Sequence, residues 1–390
     1  MKVAVVGGGL QGVEATYLAR RAGWEVRVFD RRADAPAAGL ADLFTVLDAT
    51  DEAALLRAVR GADLLLPTLE DDEALAAIER AAGRAGLPLA FDPRAYAVSS
   101  SKQASDRLFA RLGVPCPRPW PAADFPLIAK PSGGSGSRGV CVLRDAAAFE
   151  ERFPGGIPTK GWVVQEYLEG PSYSLEVLGT PGRYRTLQVT ELEMDRRYDC
   201  KRVRAPAALD PSGEEELRSL TATLAEALGL EGVMDVEVIL HRQTLKVLEV
   251  DARLPSQTPT AVYGSTGVNL VELLGKLTLS GELPSEIDLR PRRAVIYEHL
   301  RAGPGTLEVT GEHAVARAGP LRWAPGFFGA DEALTTYRPG ASEWVATLLV
   351  TGRDGAEAWA RRREVIRDLR RQLGLSRYRD AGPPEPEEGA

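Results

Sequence analysis

Acids recur at alternate positions along two neighbouring stretches, MDVEVILH at 234–241 and LKVLEVDAR at 245–253. A three-residue loop, Arg242 to Thr244, folds these stretches into an antiparallel hairpin. With His241 opposite Leu245, Glu237 faces Glu249 and Asp235 faces Asp251. Side chains alternate along a strand, so the four carboxylates share one face, and Val236, Val238, Leu240, Lys246, Leu248 and Val250 take the other. Cross-strand neighbours stand about 5 Å apart, where like charges oppose pairing unless a cation lies between them. Mg²⁺ prefers oxygen ligands and binds through one or two carboxylates plus substrate phosphates, a set that Glu237, Glu249 and Asp251 match. Asp235 is expected to turn toward a structural partner, because a metal site seldom needs four acids. The competing interpretation is an acidic face solvated by water. A one-residue slip in register breaks the geometry.

Lys130 ends the apolar stretch FPLIAKP, and SGGSGSRG follows at 132–139. A cation ahead of a loop of small residues puts one charge and several backbone amides where phosphates can lie. The run lacks the Gly-Lys-Ser/Thr ending of a Walker loop, and taken alone it also reads as a mobile surface loop. Beside a carboxylate cluster it reads as a lid over a nucleotide triphosphate. A third element, Gly7, Gly9 and Gly12 in VVGGGLQGVEA, is a GxGxxG at a strand-to-helix turn, with Asp30 ending the next strand. Such a turn admits a phosphate to backbone amides, and it fits NAD, another ligand, or a purely structural role. The histidines at 241, 299 and 313 show no triad spacing, so no covalent enzyme intermediate is sought.

The elements that position these groups follow from hydrophobic period. Short apolar runs at 2–6, 24–30, 44–48, 62–69 and 87–91 alternate with helices or loops, which implies a parallel sheet covered on both faces. Serines at 99–101 cap the helical run KQASDRLFARLG, and Pro115, Pro117, Pro119 and Pro121 then forbid regular structure. From Phe125 to about Gly281 an α+β pattern holds, with helices at 213–229 and 269–280. Short strands and turns fill 291–350, a charged helix spans 355–373, and AGPPEPEEGA is expected to be disordered. The division is 1–95 as a Rossmann-like domain, 96–285, 286–378 as a small C-terminal domain, and 379–390 as the tail.

Composition narrows the function classes. The 390 residues carry 48 basic and 55 acidic side chains, a dispersed net charge of −7 that argues against a nucleic-acid surface. Cys116, Cys141 and Cys200 form no CxxC, and no leader precedes the first strand, so a cytoplasmic location is expected. No apolar run approaches the roughly 20 residues of a membrane span.

Lys130 with its glycine-rich loop, the hinge-like QEYLEG at 165–170 and the acidic strands together resemble the ATP-grasp superfamily over residues 95–285. Within it, RYDCKRV (197–203), GVMDVE (232–237), LEVDARLPSQTPT (248–260) and GVNLVELL (267–274), with GGGLQG, PTLED and IYEHL, resemble the pyrrolysine-biosynthesis ligases. Those enzymes join 3-methyl-D-ornithine to L-lysine, and the resemblance weakens beyond about residue 300. It implies a Rossmann-like pre-ATP-grasp domain, an ATP-grasp domain at 96–285 and a small C-terminal domain. It also implies an ADP-forming amide ligase using ATP and two Mg²⁺ ions, and it admits a homodimer. Glu237, Glu249 and Asp251 take the place of metal ligands, Arg253 that of the phosphate-stabilising arginine, and Lys102 and Lys130 those of the lysines on ATP phosphates. Gln165, Glu166 and Leu168 belong to the adenine hinge, and Gly9, Asp30 and Ser137 to further nucleotide contacts. Leu10, Gln11 and Glu70 are expected to hold lysine, and Ser256, Gln257, Thr258, Glu176 and Asp199 the ornithine. Two departures stand out: Ser172 replaces the usual ribose-binding acid, and the extra glycines leave the lid contacts of Ser135 and Ser137 open. The rival functions are a ligase for other amino acids and an NAD-dependent oxidoreductase built on the GxGxxG.

Overall fold

The computed structural model describes residues 1–383 apart from 135, 138, 159 and 160. Near the N-terminus β1 (Lys2–Val6), β2 (Glu25–Asp30), β3 (Leu43–Val46) and β4 (Leu64–Pro67) form a parallel sheet in the order β3-β2-β1-β4. Both faces are buried: Val3, Val5, Val26 and Val28 enter one core, and Ala4, Val6 and Phe29 the other. The strand expected at 87–91 reduces to a bridge from Leu89 to Leu65. Pro88 brings a carbonyl but no N–H to that pairing.

β5 (Leu127–Pro131), β6 (Cys141–Leu143) and β7 (Trp162–Glu166) make a small antiparallel sheet that carries Lys130 and the start of the hinge. The large sheet takes β8 (Ser172–Thr180), β9 (Arg183–Thr186), β10 (Thr190–Met194), β11 (Cys200–Ala205), β12 (Gly232–His241), β13 (Thr244–Asp251), β14 (Ala294–Gly303), β15 (Thr306–Val309), β16 (Arg322–Pro325), β17 (Glu332–Thr335), β18 (Trp344–Gly352) and β19 (Arg377–Asp380). Strands on either side of residue 285 thus share one sheet, joined where β11 pairs with β14. β19 pairs with β15, so Arg379 and Asp380, expected in a disordered tail, are part of the sheet. Ion pairs from Asp380 to Lys201 (2.8 Å) and Arg202 (2.7 Å) hold them there. Residues 384–390 lie outside the described part of the chain. The helices expected in the second half of the chain occur at Pro211–Leu228, Leu270–Ser280 and Gly355–Leu373, begun by the N-caps Asp210, Asn269 and Asp354.

The acidic hairpin reaches its expected acid pairs by a different route. Its turn has two residues, Arg242 and Gln243, so His241 pairs with Thr244 and not with Leu245. A bulge at Leu248 then absorbs one residue of β13 and restores Glu237 to Glu249 and Asp235 to Asp251. Leu245 and Val247 therefore join Val236 and Val238 in the core. Lys246 and Leu248, expected on that far face, point to the acid side, where Lys246 Nζ donates to Glu166 at 2.5 Å and Leu248 lines a cavity. Both turn residues have positive φ, 48° and 67°, the type I′ form that favours Asn-Gly. Replacing Arg242-Gln243 with Asn-Gly is expected to stabilise the protein by about 0.5–2 kcal/mol. A lower thermal midpoint for that variant would contradict the two-residue turn.

Candidate active site

The paired acids of β12 and β13 open onto a cavity of about 600 Å³ that Asp235, Glu237, Glu249 and Asp251 line. Three cations face them. Lys102, first residue of the helix that Ser101 caps, lies 2.6 Å from Glu249. Arg253, just beyond β13, lies 2.9 Å from Asp251 and 3.8 Å from Asp235. Lys130, near the end of β5, is 8% exposed and lines the same cavity. Burial raises Glu237 to about 7, with Glu249 adding to the shift. Burial likewise raises Asp251 to about 8, Arg253 opposing it and Glu249 adding to it. Burial pushes Lys130 down, and on Lys102 the same penalty is outweighed by Glu249. Burial keeps Glu237 and Asp251 from ionising, and together with Glu249 they offer the oxygen donors that a hard divalent ion takes; among the described residues, the group whose ligand atoms already lie within 4.8 Å of one another is Asp195, Asp199 and His313. Asp235, expected to turn toward a structural partner, lines the cavity as well, its Oδ1 3.8 Å from Arg253 and without a hydrogen bond.

Lys102 Nζ also donates to the Gly134 carbonyl at 3.0 Å, which ties the glycine-rich loop to the acidic strands. Ser137 Oγ donates to the Tyr198 carbonyl at 2.6 Å, and Ser135 lies outside the described residues. Gln165, Glu166, Leu168 and Ser172 all line the cavity. The Glu166 carboxylate is held by Lys246 and by the Arg118 amide at 3.1 Å, so it braces the hinge.

The far end is built from both halves of the chain. Leu10 and Gln11 begin the first helix, and Gln11 Nε2 donates to Glu70 at 2.7 Å. Glu70 also pairs with Arg253 Nε at 3.0 Å, joining the N-terminal sheet to the acidic strands. Asp199, Ser256, Gln257 and Thr258 line this end, but Glu176 does not. That corrects the expectation of an ammonium contact there: Glu176 sits mid-sheet on β8, opposite Asp235, with no exposure and its acidity lowered by burial to a pKa of about 7. Glu312, which the sequence reading missed, lines the cavity and accepts from Gln257 Nε2 at 2.5 Å and Ser256 Oγ at 3.0 Å. His313 donates to Asp199 through its backbone N–H at 2.9 Å and pairs with it through Nδ1. GEH at 311–313 carries no spacing signal, since only the fold brings it beside residues 199 and 256.

The GxGxxG is explained mainly by packing. A Cβ at Gly12 would stand 2.1 Å from the Gly7 carbonyl, and Gly7 itself has φ 111°. Gly9 and Asp30 line the cavity, yet the Asp30 carboxylate already accepts from the Gly8 and Arg32 amides at 2.5 and 2.7 Å. Its oxygens are engaged in fixing the turn, which weakens the case for a dinucleotide ribose.

A model of the ATP-grasp domain matches residues 99–257. The 3-methyl-D-ornithine–L-lysine ligase of Methanosarcina mazei is 35% identical over 376 residues, covering 96% of this chain and 97% of that protein. Among solved structures, the biotin carboxylase domain of the Hydrogenobacter thermophilus 2-oxoglutarate carboxylase, in complex with MgADP, ADP and bicarbonate, has a TM-score of 0.72 at 17% identity, over 94% of this chain and 89% of that one. The L-amino acid ligase of Bacillus licheniformis has a TM-score of 0.68 at 19% identity, over 94% and 97%. These two likenesses bear on the fold. The first relative carries more, and by its identity and reach the chain belongs to the ATP-grasp ligase family that includes 3-methyl-D-ornithine–L-lysine ligase.

Proposed function

We propose that the chain joins the carboxylate of 3-methyl-D-ornithine to the ε-amine of L-lysine, with ATP as the energy source, as a step of pyrrolysine biosynthesis in the cytoplasm. The observation that carries this reading is one cavity lined by the acid pairs, Lys102, Lys130 and Arg253 together with Leu10, Gln11, Glu70 and Asp199. A carboxylate is a poor acyl donor because oxide would have to leave. Transfer of the γ-phosphoryl group to it gives ADP and an acyl phosphate; the amine then attacks the carbonyl, phosphate departs and the nitrogen loses a proton.

Lys102 and Lys130 hold the triphosphate, and Gln165 to Leu168 present backbone to adenine. Glu237, Glu249 and Asp251 would hold Mg²⁺, which when bound would offset phosphate charge. Arg253 stabilises the charge that develops on the transferring group. Glu70 and Gln11 take the lysine ammonium and backbone, while Asp199, Ser256, Gln257 and Thr258 grip the ornithine. No protein nucleophile is needed.

ADP release measured with lysine and a panel of D- and L-ornithine analogues tests the reading. Highest turnover with the D-methyl donor supports it; equal turnover with unrelated amino acids would contradict it. The raised pKa values of Glu237 and Asp251 add a pH dependence. Without metal, Glu237 and Asp251 take up protons as pH falls through about 7 and 8. Their retained protons favour the folded state at low pH, a contribution lost as pH rises through those values. Protons also compete with the ion. A fixed Mg²⁺ concentration is therefore expected to raise the thermal midpoint more at about pH 8.5 than at about pH 6. Equal shifts would contradict a carboxylate site.

A further inference from the structure

Glu14 lies outside the chemistry described so far. It sits one helical turn beyond Leu10 and Gln11 in the helix Leu10–Arg21, is 2% exposed, and does not line the cavity. Its Oε1 accepts from the backbone N–H of Thr260 at 2.5 Å, with the Gln257 amide close by. Thr260 belongs to the first turn of the helix Thr258–Thr266, whose own N-cap, Gln257, supplies no side-chain cap and stands at φ 75°. The first amides of a helix need acceptors, and here Glu14 provides one. The loop before this helix is thus held on two sides, by Glu312 through the side chains of Ser256 and Gln257 and by Glu14 through the backbone. A shared core backs the contact: Val13 and Leu18 pack in one cluster with Val262, Leu270 and Leu274.

We infer that Glu14 is a positioning residue that couples the two amino-acid subsites, transmitting occupancy at Leu10 and Gln11 to the loop Ser256–Thr258. This rests on the assignment of lysine and the ornithine to those subsites. Coupling of binding is reciprocal, so each amino acid tightens the other.

The test is calorimetric titration of D-ornithine into the full chain with Mg²⁺ and a non-hydrolysable ATP analogue, with and without lysine. The parent is expected to bind the donor about tenfold more tightly when lysine is present. In Glu14→Ala that ratio falls to about one while affinity for lysine alone stays within about twofold. Glu14→Gln keeps an acceptor oxygen and restores the ratio. Retention of the ratio in Glu14→Ala, or its loss in Glu14→Gln as well, overturns the inference. A Glu14→Ala chain that no longer binds the ATP analogue means a general structural role and also overturns it. Absence of donor binding in the parent overturns the underlying substrate assignment.

Discussion

Exchange of Glu249 for glutamine is expected to cut lysine-dependent ADP release by roughly a thousandfold while leaving the circular-dichroism spectrum unchanged. The substitution preserves volume and removes one charge. Glu249 faces Glu237 across the hairpin and lies 2.6 Å from Lys102, so it links that acid pair to the lysine. A neutral amide there ends the attraction for a divalent ion and frees Lys102 from its partner. Because the carboxylates repel one another, the fold itself loses little. A fully active variant would remove the proposed metal role.

Arg253→Met is expected to reduce kcat by about 10²–10³ with a change in KM for ATP of less than about threefold. Arg253 is buried among Glu70, Asp251 and Asp235, which hold its guanidinium charged and fixed before any substrate arrives. A preset donor of this kind acts mainly on the transition state, where charge on the transferring phosphoryl group is greatest. Comparable losses in kcat and in ATP affinity would make it a binding residue instead.

The paired acids were legible because a strand's two-residue period puts alternate carboxylates on one face, whatever the remainder of the chain does. The path between them was not. A three-residue turn and a two-residue turn plus a bulge give the same partners for Glu237, and only backbone geometry separates them. Lys246 and Leu248 were misplaced for that reason. Lys102, Lys130, Gln165 to Leu168, Leu10 and Gln11 were singled out from short motifs, and the fold brings them all to one cavity. Glu176 shows the limit of that approach: its burial in the middle of β8, opposite Asp235 and away from the cavity, was not readable from residue types. Glu312, His313 and Glu14 escaped notice because their partners lie far away in sequence, at Gln257, Asp199 and Thr260.

Diffraction from crystals containing Mn²⁺ and a non-hydrolysable ATP analogue, recorded for the manganese anomalous signal, most directly examines whether adjacent strands share an ion under the triphosphate. The expected map shows manganese bonded to Glu249 together with Glu237 or Asp251, and Lys102 withdrawn from Glu249 onto a phosphate. Manganese held by phosphate oxygens alone, with the Lys102–Glu249 pair intact, would contradict the account.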